Sequence, residues 1–417
     1  MKPAHPKVGS GRVLSNQASA REAVISAPLP VEFSPRAPFA ADPATSRGRL
    51  VPEPDSAPRS PWQRDRDRIV HATAFRRLEA KTQVFAALDG DHFRTRLTHT
   101  LEVSQIGRTI ARALQVDEDL TEAIALAHDL GHSPFGHAGE EALDACLQGF
   151  GGFDHNLQTF RILTRLERRY GGFDGLNLTA ETLEGVVKHN GPLKGNVPAP
   201  IAEWHRRQDL RLHLQPSVEA QIAALADDIA YCSHDVDDGL RAGFFRPDEL
   251  RTVPLAAPVV DEVTALWPGL ERGQLAGEIQ RRLIDRMVRD LLAETRERLA
   301  ALHPGSPDAV ALADRPCVAF SPAMHEAVVQ LRTFLRDRVW QHYTVNRMTR
   351  RAKQILRALF ETFFEAPECL PEEWRSRAGA AGSQACAEAV RDYVAGMTDR
   401  FALDEHDRLF RIARTRP

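Results

Sequence analysis

AHDLGHSPFGHAGEE, residues 127–141, sets three histidines, an aspartate and two glutamates within a few turns of one another. The run leading into it, VDEDLTEAIALAHDLGH, places Leu120, Ile124, Ala127 and Leu130 on one helical stripe, so His128 and Asp129 ride on an otherwise apolar segment. A charged carboxylate in such a place is costly unless a cation or a fixed partner compensates it. Upstream, RTRLTHTLEVSQIGRTIARAL predicts a second amphipathic helix, with Leu97, Leu101, Ile106 and Ile110 on its stripe and His99 beside it. Downstream, Ser133 as N-cap and Pro134 at the first helical position predict a third helix through SPFGHAGEEALDACL.

Antiparallel packing of the first two helices brings His99 to His128 and Asp129. A fourth ligand must come from elsewhere, and LADDIAY, with Asp227 and Asp228 on another periodic stretch, supplies it; Asp227 is the better candidate. A lone histidine on an apolar face is ordinarily a packed core residue. Imidazoles and carboxylates from three helices can instead close around one divalent cation and leave positions open for water and a phosphate oxygen. This mixed shell suits Mn, Fe, Ni, Co or Mg better than a thiolate zinc site, and predicts a metal-dependent phosphohydrolase. His137 and Glu140, three residues apart, share a helical face, where the carboxylate can orient the imidazole for proton transfer.

The rest of the composition narrows the class. With 43% apolar and 27% charged residues in 417, the chain reads as globular, and a net charge of -3 argues against a general nucleic-acid coat. Five scattered cysteines without CxxC spacing suggest neither a disulfide framework nor a zinc ribbon and fit a reducing cytoplasm. No apolar run approaches a membrane span, and no secretory signal is evident.

Residues 1–61 hold 11 of the 27 prolines and read as an extended arm, its Arg-rich second half either disordered or ordered against a neighbouring subunit. Residues 62–250 read as the helical metal-bearing core, and 251–417 as a helical C-terminal region that closes the cleft and forms oligomer contacts. A turn or short hairpin is expected at LDGDH, 88–92. Further helices are expected near 155–169, 179–189, 217–240, 257–267, 277–302, 321–337, 339–363, 383–397 and 402–411, and almost no strand. The fold class is therefore all-α.

RTRLTHTLEV, AHDLGHSPFGHAGE, FDHNLQTFRIL and ALADDIAYCSHDVDDGLRAG, in this order, resemble the motifs of the HD-domain deoxynucleoside triphosphate triphosphohydrolases, in particular the bacterial deoxyguanosinetriphosphate triphosphohydrolase-like proteins. The likeness runs from about residue 46 to 245 and returns weakly near 325–365. It implies an all-α HD fold and a metal set of His99, His128, Asp129 and Asp227. Asp227 is preferred over Asp228 because the family's sugar-contacting tyrosine and aspartate then fall on Tyr231 and Asp235. An alternative for Asp235, Asp237 and Asp238 is a solvated acidic helix end. The resemblance also implies His137 and Glu140 as catalytic, His155 as a further active-site histidine with Asn156 where some relatives have a glutamate, and Arg96 as a phosphate grip. More weakly, it brings Arg332 and His342 to the nucleotide, against the plainer reading of their stretch as a solvated basic face. His132 either touches phosphates or caps its helix.

The implied reaction is hydrolysis of a dGTP-like deoxynucleoside triphosphate to deoxynucleoside and inorganic triphosphate by water attack at the α-phosphorus. Mn, Mg or another first-row transition metal is the expected cofactor. Expected partners are the nucleotide, a nucleotide activator, copies of the chain in a tetramer or hexamer and single-stranded DNA, with no membrane. The alternatives are another HD reaction, such as a nucleoside monophosphatase or cyclic-nucleotide phosphodiesterase, and a nucleic-acid-binding module with a vestigial site.

Overall fold

The computed structural model describes residues 36–83 and 94–411. Among these residues the protein is all-α, and β-type pairing is limited to isolated bridges. The expected LDGDH turn lies outside the described residues; the Thr82–Thr95 bridge joins the chain on either side of that segment.

Helices α1 (Pro61–Val70), α2 (Thr73–Arg77), α3 (Arg96–Leu114), α4 (Glu118–Ala127), α5 (Gly136–Cys146), α6 (His155–Arg161), α7 (Ala180–Val187) and α8 (Val218–Ala242) build the first part of the molecule. Their starts are written in the sequence: Ser60, Thr95, Asp117, Asp154, Thr179 and Ser217 each accept a backbone N–H of the helix that follows. Long α8 ends at Gly243, whose φ of 73° is the left-handed conformation a helix C-terminus favours in glycine. Helices α3, α4 and α8 pack on one another, and their shared apolar contact, including Val103, Ile110, Ile124, Ala226 and Ile229, is fully buried.

Two local expectations are corrected. Leu101 is half exposed, because the period set by Ile106 and Ile110 runs back through Val103 to His99 and leaves Leu101 on the opposite side. Helix α5 starts at Gly136 rather than Pro134. Phe135, at φ 62°, takes the cap position, its N–H donating to Asp399 Oδ1 at 2.9 Å, while the Ser133 hydroxyl donates to the Gly136 carbonyl instead of capping.

The described half of the N-terminal arm makes contacts with its own chain. Ala41 N–H donates to Glu219, Arg47 pairs with Glu181 and Glu184, and Arg49 reaches the fully buried Asp65, which also accepts from Thr179 and Thr182. The RDRDR run therefore ties arm to core.

Beyond α8 follow α9 (Ala257–Leu266), α10 (Arg272–Leu302), α11 (Pro322–Leu335), α12 (Tyr343–Glu365), α13 (Gln384–Ala395) and α14 (Asp399–Phe410). The chain between α11 and α12, Arg336–Trp340, forms a π-turn, a local widening often found beside functional sites. Leu143 of α5 joins Leu356, Phe360 and Phe363 of α12 and Val390 and Val394 of α13 in a second apolar cluster. Helix α5 thus packs against the C-terminal helices.

Candidate metal centre and catalytic cleft

His99 lies on the buried side of α3, and His128 caps the C-terminal end of α4 with Asp129 in the turn just beyond. All three are at most 5% exposed, and one donor atom of each lies within 4.8 Å of the others. Asp227, from the middle of α8, sets Oδ1 2.9 Å from His99 Nε2 and 3.6 Å from His128 Nε2. Asp228 pairs instead with Arg332 at 2.5 Å.

The donor set fits a divalent cation. His128 Nδ1 lies 2.7 Å from the Ala125 carbonyl, which fixes the proton there and leaves Nε2 as a buried acceptor with no hydrogen-bond partner. Burial alone would raise the carboxyl pKa of Asp129, but His128, His132 and Arg96 outweigh it and hold the group well below its usual range. Asp227 is likewise held low against burial by His128, His189 and His99. Anionic carboxylates facing an unfilled imidazole nitrogen are what a metal site requires.

A second cluster adjoins the first through His132. That ring is 3.9 Å from the His155 ring, with Nδ1 3.2 Å from Asp129 Oδ1. His132 does not cap a helix, since α4 ends before it; burial and Arg96 push its pKa well below 6.5. Close approach makes the contact possible. A Cβ on Gly131 would sit about 2 Å from the His155 carbonyl, so only glycine lets the turn lie against α6. Glu140 Oε1 accepts from the His155 N–H at 2.9 Å and meets His155 Nδ1 at 2.8 Å, while Oε2 meets His137 Nδ1 at 3.1 Å. The carboxylate partner that Asn156 cannot provide for His155 is therefore Glu140. Burial works against its charge, yet hydrogen bonds from His137 and His155 hold Glu140 far below the usual range; the same contact raises His155 despite burial.

An HD domain model matches residues 96–232, and a phosphohydrolase-associated domain matches residues 318–408. The chain is 52% identical over 384 residues to the deoxyguanosinetriphosphate triphosphohydrolase-like protein of Caulobacter sp. (strain K31), covering 91% of this chain and 98% of that one. Proteins of the same description from Parvibaculum lavamentivorans and Azorhizobium caulinodans are each 53% identical, covering 90% of this chain and 96% of theirs. The chain belongs to the deoxyguanosinetriphosphate triphosphohydrolase-like family. It is an HD phosphohydrolase, with a His/Asp cluster suited to the metal such domains depend on.

In this family member the remaining expected residues are arranged unevenly around the centre. Arg96, 1% exposed, donates to Asp129 Oδ2 at 2.8 Å, so it touches the metal cluster itself. Tyr231, one turn beyond Asp227, has its ring 5.5 Å from Trp340 of the π-turn. Asp235, another turn along, accepts from Trp340 Nε1 at 2.6 Å. Asp235, Asp237 and Asp238 are all buried, not a solvated helix end: Arg94 pairs with the last two, and burial pushes Asp235 up to about 8. His342 caps α12 and stacks on Phe244 at 4.0 Å; no hydrogen bond or ring contact joins it to the cluster. Arg336, Arg347 and Arg350 are exposed, as the solvated-face reading of their stretch expects.

Three neighbours of the centre escaped the sequence reading. His189, just past α7, places Nε2 3.4 Å from Asp227 Oδ2 and stacks on His128 at 5.5 Å; nothing in VVKHN marks it. His234 Nδ1 is 3.2 Å from His99 Nδ1, and its other nitrogen faces Glu102. A signal existed: His234 lies seven residues after Asp227, two turns along one face of α8. Trp340 had no local signal, because its place depends on the π-turn. No helix among the described residues is long and apolar enough to cross a membrane, and all five cysteines are free.

Proposed function

We propose that this phosphohydrolase acts on deoxynucleoside triphosphates, dGTP-like in class, releasing the deoxynucleoside and inorganic triphosphate by water attack at the α-phosphorus. The observation that carries the reading is the junction of two clusters: buried His99, His128 and Asp129 with the half-buried Asp227, and, across His132, the Glu140 carboxylate shared by His137 and His155. The relatives' description supports the substrate class.

His99, His128, Asp129 and Asp227 would hold Mn, Mg or another first-row divalent ion, which when bound supplies Lewis-acid polarisation of a phosphate oxygen and acidification of water. The chain's own residues do the rest. Glu140 fixes two imidazoles in place, and His137, with 61% of its side chain exposed, can donate a proton to a leaving oxygen and exchange it with solvent. Arg96 brings a buried guanidinium to the same carboxylate cluster, where it opposes the charge of phosphate oxygens. Tyr231 and Trp340 form an aromatic wall beside Asp235, a surface suited to a deoxyribose and unfavourable to an added hydroxyl. Arg332, Asp228 and His342 line the outer approach in this reading. Assembly into a tetramer or hexamer, nucleotide activation and single-stranded DNA binding belong to the same proposal.

A turnover panel tests it. The four deoxynucleoside triphosphates, alone and mixed, are supplied with Mn or Mg and the products resolved by chromatography. Triphosphate and deoxynucleoside in equal amounts are expected; orthophosphate as the sole inorganic product would refute the reaction. Turnover confined to mixtures would place an activator site on the protein.

A further inference from the structure

The turn that carries the chain from the metal-bearing HD segment to the catalytic helix α5 is held from the far end of the molecule. Asp399, the first residue of α14, is 7% exposed and spans two segments: Oδ1 accepts the Phe135 N–H at 2.9 Å, and Oδ2 accepts the Thr82 N–H at 3.0 Å and the Thr82 hydroxyl. Lys81, 3% exposed, donates to the carbonyls of His132 and, at 3.0 Å, Ala395, the last residue of α13. The Arg96 N–H in turn donates to the Lys81 carbonyl at 3.0 Å, and Arg77 reaches the Gly396 carbonyl at 2.9 Å.

These contacts meet where the backbone has least freedom. Phe135 is left-handed at φ 62°, which a bulky residue adopts only when its surroundings compel it. Gly136 follows at φ 58°, and a Cβ there would lie 2.8 Å from Arg96 Nη2. His137 comes next. Its imidazole direction is therefore set by the Phe135–Gly136 turn, and that turn is set by Asp399.

We infer that Asp399 and Lys81 are positioning residues, a clasp through which the C-terminal region holds the His132–His137 turn in register with the metal centre. The Asp399 carboxylate touches neither the donor set nor the aromatic wall, and the clasp meets the phosphate grip only through the backbone bond from Arg96 to Lys81, so its main effect falls on proton transfer. The inference rests on the assignment of His137 and Glu140 to proton transfer.

The test uses the full-length Asp399→Ala, Asp399→Asn and Lys81→Met variants, with His137→Ala as reference and dGTP with Mn as the probe. Asp399→Ala should lower kcat by about ten-fold or more while KM and Mn affinity stay within about two-fold, since small misplacements of a reacting group are costly. Asp399→Asn keeps an oxygen for the Phe135 N–H and should recover most of kcat. Hydrogen exchange followed by mass spectrometry gives a readout independent of turnover: peptides spanning 132–137 should lose protection in Asp399→Ala and Lys81→Met, and those of α3 should not. Unchanged exchange at 132–137, or unchanged kcat in folded Asp399→Ala, overturns the clasp. A uniform loss of protection and of Mn affinity also overturns it, since the pair would then hold up the whole fold. Wild-type protein that fails to turn over dGTP, or His137→Ala with full activity, instead sinks the assignment on which the clasp rests.

Discussion

The two clusters that meet at His132 are made of the same two side-chain types, yet their settings differ. In the metal cluster His99, His128 and Asp129 are sealed from water, and a buried imidazole nitrogen lacks any hydrogen-bond partner. In the second cluster the imidazole nitrogens facing Glu140 are hydrogen-bonded, and His137 opens to solvent. A sealed carboxylate held ionised beside an unpartnered imidazole nitrogen suits a metal ion; groups already hydrogen-bonded and wet at one edge can pass protons. Burial, more than residue identity, divides the labour.

The largest effect should come from breaking the sealed cluster. Asp129→Ala removes a donor and the partner of Arg96 together, and should cost at least about 1000-fold in turnover along with most of the bound metal, measured by elemental analysis and product release. Retained turnover would erase the distinction between the clusters. Next in size, His137→Ala should lower kcat by roughly 100-fold or more, in the range of general acid–base catalysis, with metal content intact.

Glu140→Gln sharpens the same contrast through pH. The Glu140 charge raises the His155 pKa above its ordinary value, so removing it lets burial pull His155 down again. If protonated His155 takes part in the reaction, the alkaline limb of the kcat profile should move to lower pH in the variant. A limb that stays in place would separate His155 from catalysis.

A smaller effect is expected at the border of the sealed cluster. His189→Ala should weaken metal affinity by about 10-fold, because it frees the Asp227 carboxylate to rotate, while His189→Gln, which keeps a donor at similar reach, should lose less. Competition with a chromogenic chelator reads both.

Glu219 shows what burial does to a carboxyl with no imidazole beside it: its pKa is pushed up to about 7. The folded form therefore keeps a proton that the unfolded chain releases, and this contribution to stability is full below about pH 4.5 and lost as pH rises to about 7. Glu219→Gln lacks that slope. Its stability relative to the wild type should increase from pH 5 to pH 8 by at most about 3 kcal/mol, read from denaturant melts. A constant difference would mean that Glu219 is ionised in the fold across that range.

Much of this arrangement could be read before the structure was known, for reasons specific to each part. Helix positions followed from 3.6-residue periodicity, a local signal that packing did not override, whereas the one cap read from the sequence, Ser133, was displaced. His128 and Asp129 stood out because a charge on an apolar stripe needs compensation, while the choice of Asp227 over Asp228 came from the family resemblance, through its spacing to Tyr231 and Asp235. What escaped was conformational or long-range. The left-handed turn at Phe135 displaced the expected start of α5, because Asp399, 264 residues away, claims the N–H that a helix start at Pro134 would have used differently. His189 sits in a loop with no periodicity to mark it, and Trp340 reaches Asp235 only because a π-turn shifts its direction. A solvated end stayed open as an alternative for Asp235, Asp237 and Asp238, since the sequence does not disclose that Arg94 covers the last two and Trp340 the first.

The most direct test of the central claim is the metal content of three proteins purified in parallel and equilibrated with Mn: wild type, Asp227→Ala and Asp228→Ala. One tightly held ion per chain is predicted in the wild type and in Asp228→Ala, and its loss in Asp227→Ala. Equal metal in all three, or loss through Asp228 instead, would contradict a centre built from His99, His128, Asp129 and Asp227.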